Sequence, residues 1–185
     1  MKIFIGSLVG AIIIFLFQFL SWAVFNFHYD AQQYTPKQDS ILAYLNTQFD
    51  SSGGYLIPTT PKDASSKDME NLESESQGKP WAQVFYHKSQ DANMGVNMIR
   101  NLVTNFIMVL FFCWIVSGYT YNSFGKTLIA ALLVGLIILL HASYTEHIWY
   151  ETFDLQAHLI DYLVSWGLTG IWLGWWLNRK EVNRS

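Results

Sequence analysis

The chain is short of the residues that bring soluble chemistry to a fold. Its single cysteine, Cys113, lies inside an apolar run, which rules out an intrachain disulfide and any cysteine-built zinc or iron–sulfur site. Charged residues make up only 14% of the 185, where a soluble domain carries about 25%. The net charge is −3 and no block of Lys and Arg stands ready to track a phosphate backbone, so no nucleic-acid partner is expected. There is no internal repeat. Nucleophile elbow, P-loop and H-E-x-x-H are all missing, and Ser51-Ser52-Gly53-Gly54 reads as a turn. An enzyme is left without its recognisable parts.

What the chain has instead is grease. Hydrophobic residues reach 51% and aromatics 17%, most of them gathered into four apolar runs. A helix needs about 20 apolar residues to cross the hydrocarbon core, and the runs at 3–25, 97–119, 127–145 and 154–177 meet that length. The expected fold is an all-α membrane protein, four transmembrane helices in a bundle, with a small external α+β insert between helices 1 and 2. A cleaved signal peptide is the rival for residues 3–25, with Ser21 and Ala23 as small residues before a cut. The length of the run and the bulk of Trp22 favour an uncleaved anchor.

The insert spans 26–96. Thr35, Pro36 and Gln38 read as N-cap, first helical position and capping-box partner, and Ile41, Leu42, Leu45 and Phe49 continue with helical spacing. Tyr55-Leu56-Ile57, stopped by Pro58, and residues 81–87 are strand candidates. Residues 59–79, rich in Ser, Lys and Glu, are expected to form a mobile loop. A core this small calls for support from the membrane domain or a partner.

Basic residues set the orientation. Lys2, Lys126, Arg179, Lys180 and Arg184 fall on one side, and Glu146, Glu151 and Asp154 on the other. The expected placement is a bacterial inner membrane with both termini cytoplasmic, residues 178–185 as a cytoplasmic tail, and 26–96 with 146–153 outside. Trp22 and Trp149 then mark the outer boundary, and Trp114, Trp172, Trp175 and Trp176 the inner one.

Polar residues gather toward the outer ends of all the runs. Arg100 and Asp161 sit about one turn inside their spans, at matching depth, and an unpaired charge there costs several kcal/mol. They are expected to pair or to share a wet pocket, and such a pair fixes helix register before it does any chemistry. His28, His141, His158, Arg100 and Asp161 form the candidate cofactor cluster. A haem would call on His141 with His158, and a quinone head on His141 with Asp161. For a metal, His147 with Glu151 and Asp154 with His158 have i,i+4 spacing, whereas His141 and His147 stand about 240° apart round a helix. Which cofactor is bound, if any, is not fixed by these residues.

The last run carries two stripes. Asp154, His158, Asp161 and Ser165 share one face; Gly167, Gly170 and Gly174 lie roughly opposite. Polar groups in lipid face protein or water, and glycines admit another backbone, within the chain or from a second copy. The lipid bilayer and another membrane protein are the expected partners. The leading expectation is a non-enzymatic accessory subunit or assembly factor of a membrane complex; the alternative is a metal-, haem- or quinone-binding membrane protein using the outer cluster.

Overall fold

The computed structural model describes residues 1–118 and 122–179. Tyr119 and Tyr121, expected near the turn after the second run, and Lys180 and Arg184 of the expected tail lie outside the described residues. The chain divides into two compact units, one of residues 34–91 and one of the remainder. Residues 26–33, expected in the insert, belong to the larger unit.

In the smaller unit, helix α2 (Gln38–Gln48) precedes strand β1 (Gly53–Ile57), helix α3 (Ser66–Ser76) and strand β2 (Ala82–Tyr86). The strands pair antiparallel, with Gly53 opposite Tyr86 and Ile57 opposite Ala82. That register puts Tyr55, Val84 and Tyr86 on one face. Phe49 stacks on Tyr55 with ring centroids 3.8 Å apart, and the Tyr86 hydroxyl donates to Asn46 Oδ1 at 2.8 Å. Tyr86 is the one large side chain buried here.

Two local expectations are corrected. Helix α2 begins at Gln38 after Lys37, not after Thr35, whose hydroxyl instead accepts from the Lys37 N–H at 3.3 Å. Helix α3 occupies part of the stretch expected to be loop. Ser65 and Asp68 build a reciprocal capping box: the Asp68 N–H donates to Ser65 Oγ, and the Ser65 N–H to Asp68 Oδ2.

The larger unit is helical. Helix α1 (Lys2–Phe19) runs into a π-helical turn, Leu20–Val24. Helix α4 (Met94–Ser117) starts three residues before the expected span because Asn93 caps it, accepting from the Val96 N–H at 3.1 Å. Helix α5 (Phe124–Ile138) is capped by Ser123 and continues through a π turn, Leu139–Tyr144, into helix α6 (Thr145–Trp149). Helix α7 (Leu155–Asn178) closes the unit. Three helical stretches, Lys2–Val24, Met94–Ser117 and Phe124–Trp149, are long and apolar enough to cross a membrane. Helix α7 equals them in length but is less apolar, because tryptophans, glycines and a polar first turn replace aliphatic side chains.

Helix α7 packs against both α1 and α5, while α4 lies along α1 and barely touches α5. Toward α1 the contacts are polar: Trp176 Nε1 donates to the Lys2 carbonyl at 2.8 Å, and Trp172 Nε1 to that of Gly6 at 3.0 Å. Toward α5 they are backbone-close. A Cβ on Gly170 would meet Ala131 Cβ at 2.7 Å, one on Gly174 would meet Phe124 at 2.9 Å, and Gly167 faces Leu132. Of the two uses expected for Gly167, Gly170 and Gly174, packing within the chain is the one these contacts describe. On α5 the buried positions Thr127, Ala131, Gly135, Leu139 and Ser143 stand four apart. Strict α-helix would drift about 40° per such step; the wider π turn offsets that drift and keeps the last two facing inward.

Two outcomes test this packing. Gly135 lies under the Tyr162 carbonyl, where an added Cβ would come within 2.7 Å of a backbone atom that cannot step aside. Gly135→Val should lower the melting temperature in detergent, at a cost of about 1–3 kcal/mol; Gly125→Ala, with no heavy atom within 4 Å, should not. In α3, hydrogen bonds from the Ser65 side chain and then its backbone hold the Asp68 carboxyl below the ordinary carboxylate range. A depressed carboxylate stabilises above its unfolded pKa and loses that contribution as pH falls through the folded one. Helical carbon shifts of residues 66–76 should thus fade on acidification, and Asp68→Asn should remove that pH dependence.

Candidate functional site

The site begins with a chain reversal. In the π turn that ends α1, the Phe25 N–H donates to the Leu20 carbonyl at 2.8 Å and the Phe27 N–H to that of Ser21 at 3.1 Å. Asn26 takes a left-handed conformation, φ 55°, which asparagine tolerates better than most residues. The reversal folds His28 back under Trp22, with the rings 3.9 Å apart and nearly parallel, and leaves His28 only 2% exposed.

Helix α7 supplies the other half. Asp154 precedes its first turn without capping it, and His158 and Asp161 follow at i+4 and i+7, on one face. His28 Nδ1 lies 2.9 Å from Asp154 Oδ2, and His28 Nε2 lies 3.1 Å from Asp161 Oδ2. His158 Nε2 approaches the same Asp154 oxygen at 3.4 Å. His158 stacks on Tyr162, whose hydroxyl is 3.2 Å from that of Ser143 on the second π turn. Asp161 is 5% exposed, and its Oδ1 is buried with no partner.

The hydrogen-bond count constrains what this cluster holds. A neutral imidazole has one donor and one acceptor, and an ionised carboxylate only accepts. Both His28 nitrogens face carboxylate oxygens, so the group needs a proton beyond neutral histidine and two carboxylates, or a cation in its place. Ligand atoms of His28, Asp154 and His158 all lie within 4.8 Å of one another, near enough to share a metal ion.

The other expected residues lie elsewhere. Arg100 is exposed on α4 and forms no ion pair with Asp161, whose partner is His28; α4 lies mainly along α1 and meets α7 at Phe112 on Trp166, not at Arg100. His141 is exposed on the second π turn and, among the described residues, forms no hydrogen bond with His158 or Asp161, its expected partners for haem and quinone. His147 accepts the Thr152 N–H on Nδ1 at 3.1 Å, closing the turn after α6. Glu151 is exposed beyond the end of α6, so the His147–Glu151 helical pair does not form. Of the set expected for a metal, His147, Glu151, Asp154 and His158, the structure brings Asp154 and His158 together beside His28 and leaves His147 and Glu151 apart from them.

Gln18 and Asn101 read as polar groups within their runs, but Asn105 escaped the sequence reading. Gln18 Oε1 accepts from both Asn101 Nδ2, at 3.1 Å, and Asn105 Nδ2, at 3.0 Å, joining α1 to α4 inside their apolar stretches. Asn105 is buried one turn further along α4, just before the run becomes aliphatic and aromatic; its spacing four residues after Asn101 was the available signal. Compared with models of known families, curated proteins and solved structures, the chain matches none.

Asp161→Asn keeps the shape of the site and removes the charge facing His28. Breaking a buried pair costs about 3–5 kcal/mol, so thermal unfolding in detergent should shift down clearly. Arg100→Gln should stay within about 0.5 kcal/mol, as an exposed substitution does. Equal losses from the two would return the pairing to Arg100.

Proposed function

We propose that this is a four-span protein of a bacterial inner membrane that works without catalysing a reaction, as an accessory subunit or assembly factor of a membrane complex. In this reading α7 is the fourth span and completes a bundle with α1, α4 and α5. Support comes from its antiparallel course along α1: Lys2 Nζ donates to the Arg179 carbonyl at 2.9 Å, while at the other end His28 meets Asp154. A helix that shadows a spanning helix from end to end shares its depth. Phe124, two residues before Lys126, packs on Gly174, so Lys2, Lys126 and Arg179 gather at one end. By the positive-inside rule that end is cytoplasmic, which puts residues 26–96 and 146–153 outside.

The observation that carries the accessory role is Arg100. It stands inside a spanning stretch, exposed, with no ion pair among the described residues, on a helix that packs mainly on α1. Around it α4 turns outward Ile99, Val103, Phe111 and Trp114. Ionisable residues at such depth face protein or water as a rule. A partner helix offering a carboxylate at that level satisfies Arg100 and covers α4 together. The convergence of His28, Asp154 and His158 favours the metal version of the alternative, and the two roles are compatible.

Photo-crosslinkers at Val103 and Phe111 of α4 should capture one membrane protein in stoichiometric yield. The same probe at Leu133 and Ile137, exposed on α5, should capture mainly lipid. Arg100→Gln should reduce the α4 crosslink and Arg100→Lys should restore much of it. Lipid adducts alone at every position would overturn the accessory reading.

A further inference from the structure

We propose that His28, Asp154 and His158 are the protein ligands of one divalent transition-metal ion of the zinc class, held where the end of α1 meets the start of α7. The inference does not depend on the accessory role and survives its failure.

The donor chemistry comes first. Two imidazole nitrogens and one carboxylate oxygen suit zinc and its first-row neighbours, and are poorer for calcium or magnesium, which prefer all-oxygen shells. Bonds of about 2.0–2.1 Å in a tetrahedral site put neighbouring ligand atoms about 3.4 Å apart. His158 Nε2 and Asp154 Oδ2 already stand at 3.4 Å. His28 Nδ1 and the same oxygen, at 2.9 Å, need only to part slightly, and all three residues present ligand atoms within 4.8 Å. Three protein ligands leave a fourth position for water or a further ligand, on the side where His158 is partly exposed.

The second argument is orientation. A histidine on a metal nearly always donates its other N–H to a carboxylate, a carbonyl or water, which fixes its tautomer and ring plane. Asp161 takes that place: with Nδ1 on the ion, His28 Nε2–H donates to Asp161 Oδ2 at 3.1 Å. Trp22, stacked on the His28 ring, holds the plane from one side. Asp161 is a positioning residue here, because it touches His28 and not the ion.

Charge closes the argument. Asp154 and Asp161 bring two negative charges into a region where His28 and both carboxylates are 9% exposed or less. A proton on His28 answers one of them. A divalent ion between two neutral imidazoles answers both, and no net charge remains buried. The roles expected from the sequence for His147 and Glu151 then pass to His28, which no chain-local spacing relates to residues 154 and 158.

The test uses the full-length protein in detergent, stripped with a chelator, desalted and titrated with Zn²⁺ alone and with Co²⁺ alone. One ion per chain should bind, and the Co²⁺ form should show the visible bands of a low-coordinate site. X-ray absorption of the Zn²⁺-loaded wild type should count two imidazoles. His158→Gln should abolish stoichiometric binding, with near-UV circular dichroism reporting that the tryptophans keep their packing. Asp161→Asn should keep one site and weaken it about 10- to 100-fold, the usual effect of losing such an orienting group. His141→Ala and His147→Ala should bind as wild type. Failure of the folded wild type to take up either ion would overturn the proposal, as would an imidazole count other than two. Unchanged binding in His158→Gln, or loss of the site with His141 or His147, would do the same. If His158→Gln does not fold, the wild-type uptake and imidazole count decide alone.

Discussion

A histidine pressed between two carboxylates joins the ends of α1 and α7, and it can be buried there because both of its ring nitrogens meet a partner. Taking an ion out of water costs several kcal/mol even after relaxation, and attraction repays it only when the geometry is good. His28 meets that condition with both ring nitrogens. Such a contact adds little net stability over a well-packed apolar one. What it adds is register, since sliding α7 by one residue along α1 would strand both aspartates. At the opposite end Trp172 and Trp176 reach the carbonyls of Gly6 and Lys2. Helix α7 is thus pinned at both ends along α1, while its glycines bring α5 close on another side.

Much of this was legible because hydrocarbon thickness and helical pitch leave little freedom. The long apolar stretches could be read by counting, and the alignment of Asp154, His158 and Asp161 follows from steps of four and seven. Where the reading failed, the cause was geometry that residue spacing does not contain. Arg100 and Asp161 were expected at one depth, but depth says nothing of direction, and α4 lies mainly along α1. His141 faces outward on a π turn that an α-helical wheel does not describe. His28 enters the cluster through a left-handed asparagine and bonds that skip five or six residues. Asn26 was visible; the reversal it permits was not.

Composition misled in the small unit. Residues 59–79 are polar enough to read as loop, yet Ser65-x-x-Asp68 carries a helix start in two side chains. A capping box acts locally and needs no hydrophobic face, so it can order a stretch that has almost nothing to bury. Asn93 and Ser123 act likewise at the starts of α4 and α5. In each case one side-chain oxygen decides where a helix begins, and an apolar count places the boundary a few residues late.

The tryptophan latches have a consequence for how the protein is made. Trp172 and Trp176 bind the carbonyls of Gly6 and Lys2 across more than 160 residues of chain, so they are made long after them. Domains grow from the N-terminus during synthesis, and contacts distant in sequence form late. Until α7 has been made, α1 keeps the small-residue flank that will receive it uncovered. Nascent chains interrupted before residue 172 therefore present Gly6 and Gly10 to whatever insertase or neighbouring protein stands beside them, and the seam closes only when α7 arrives.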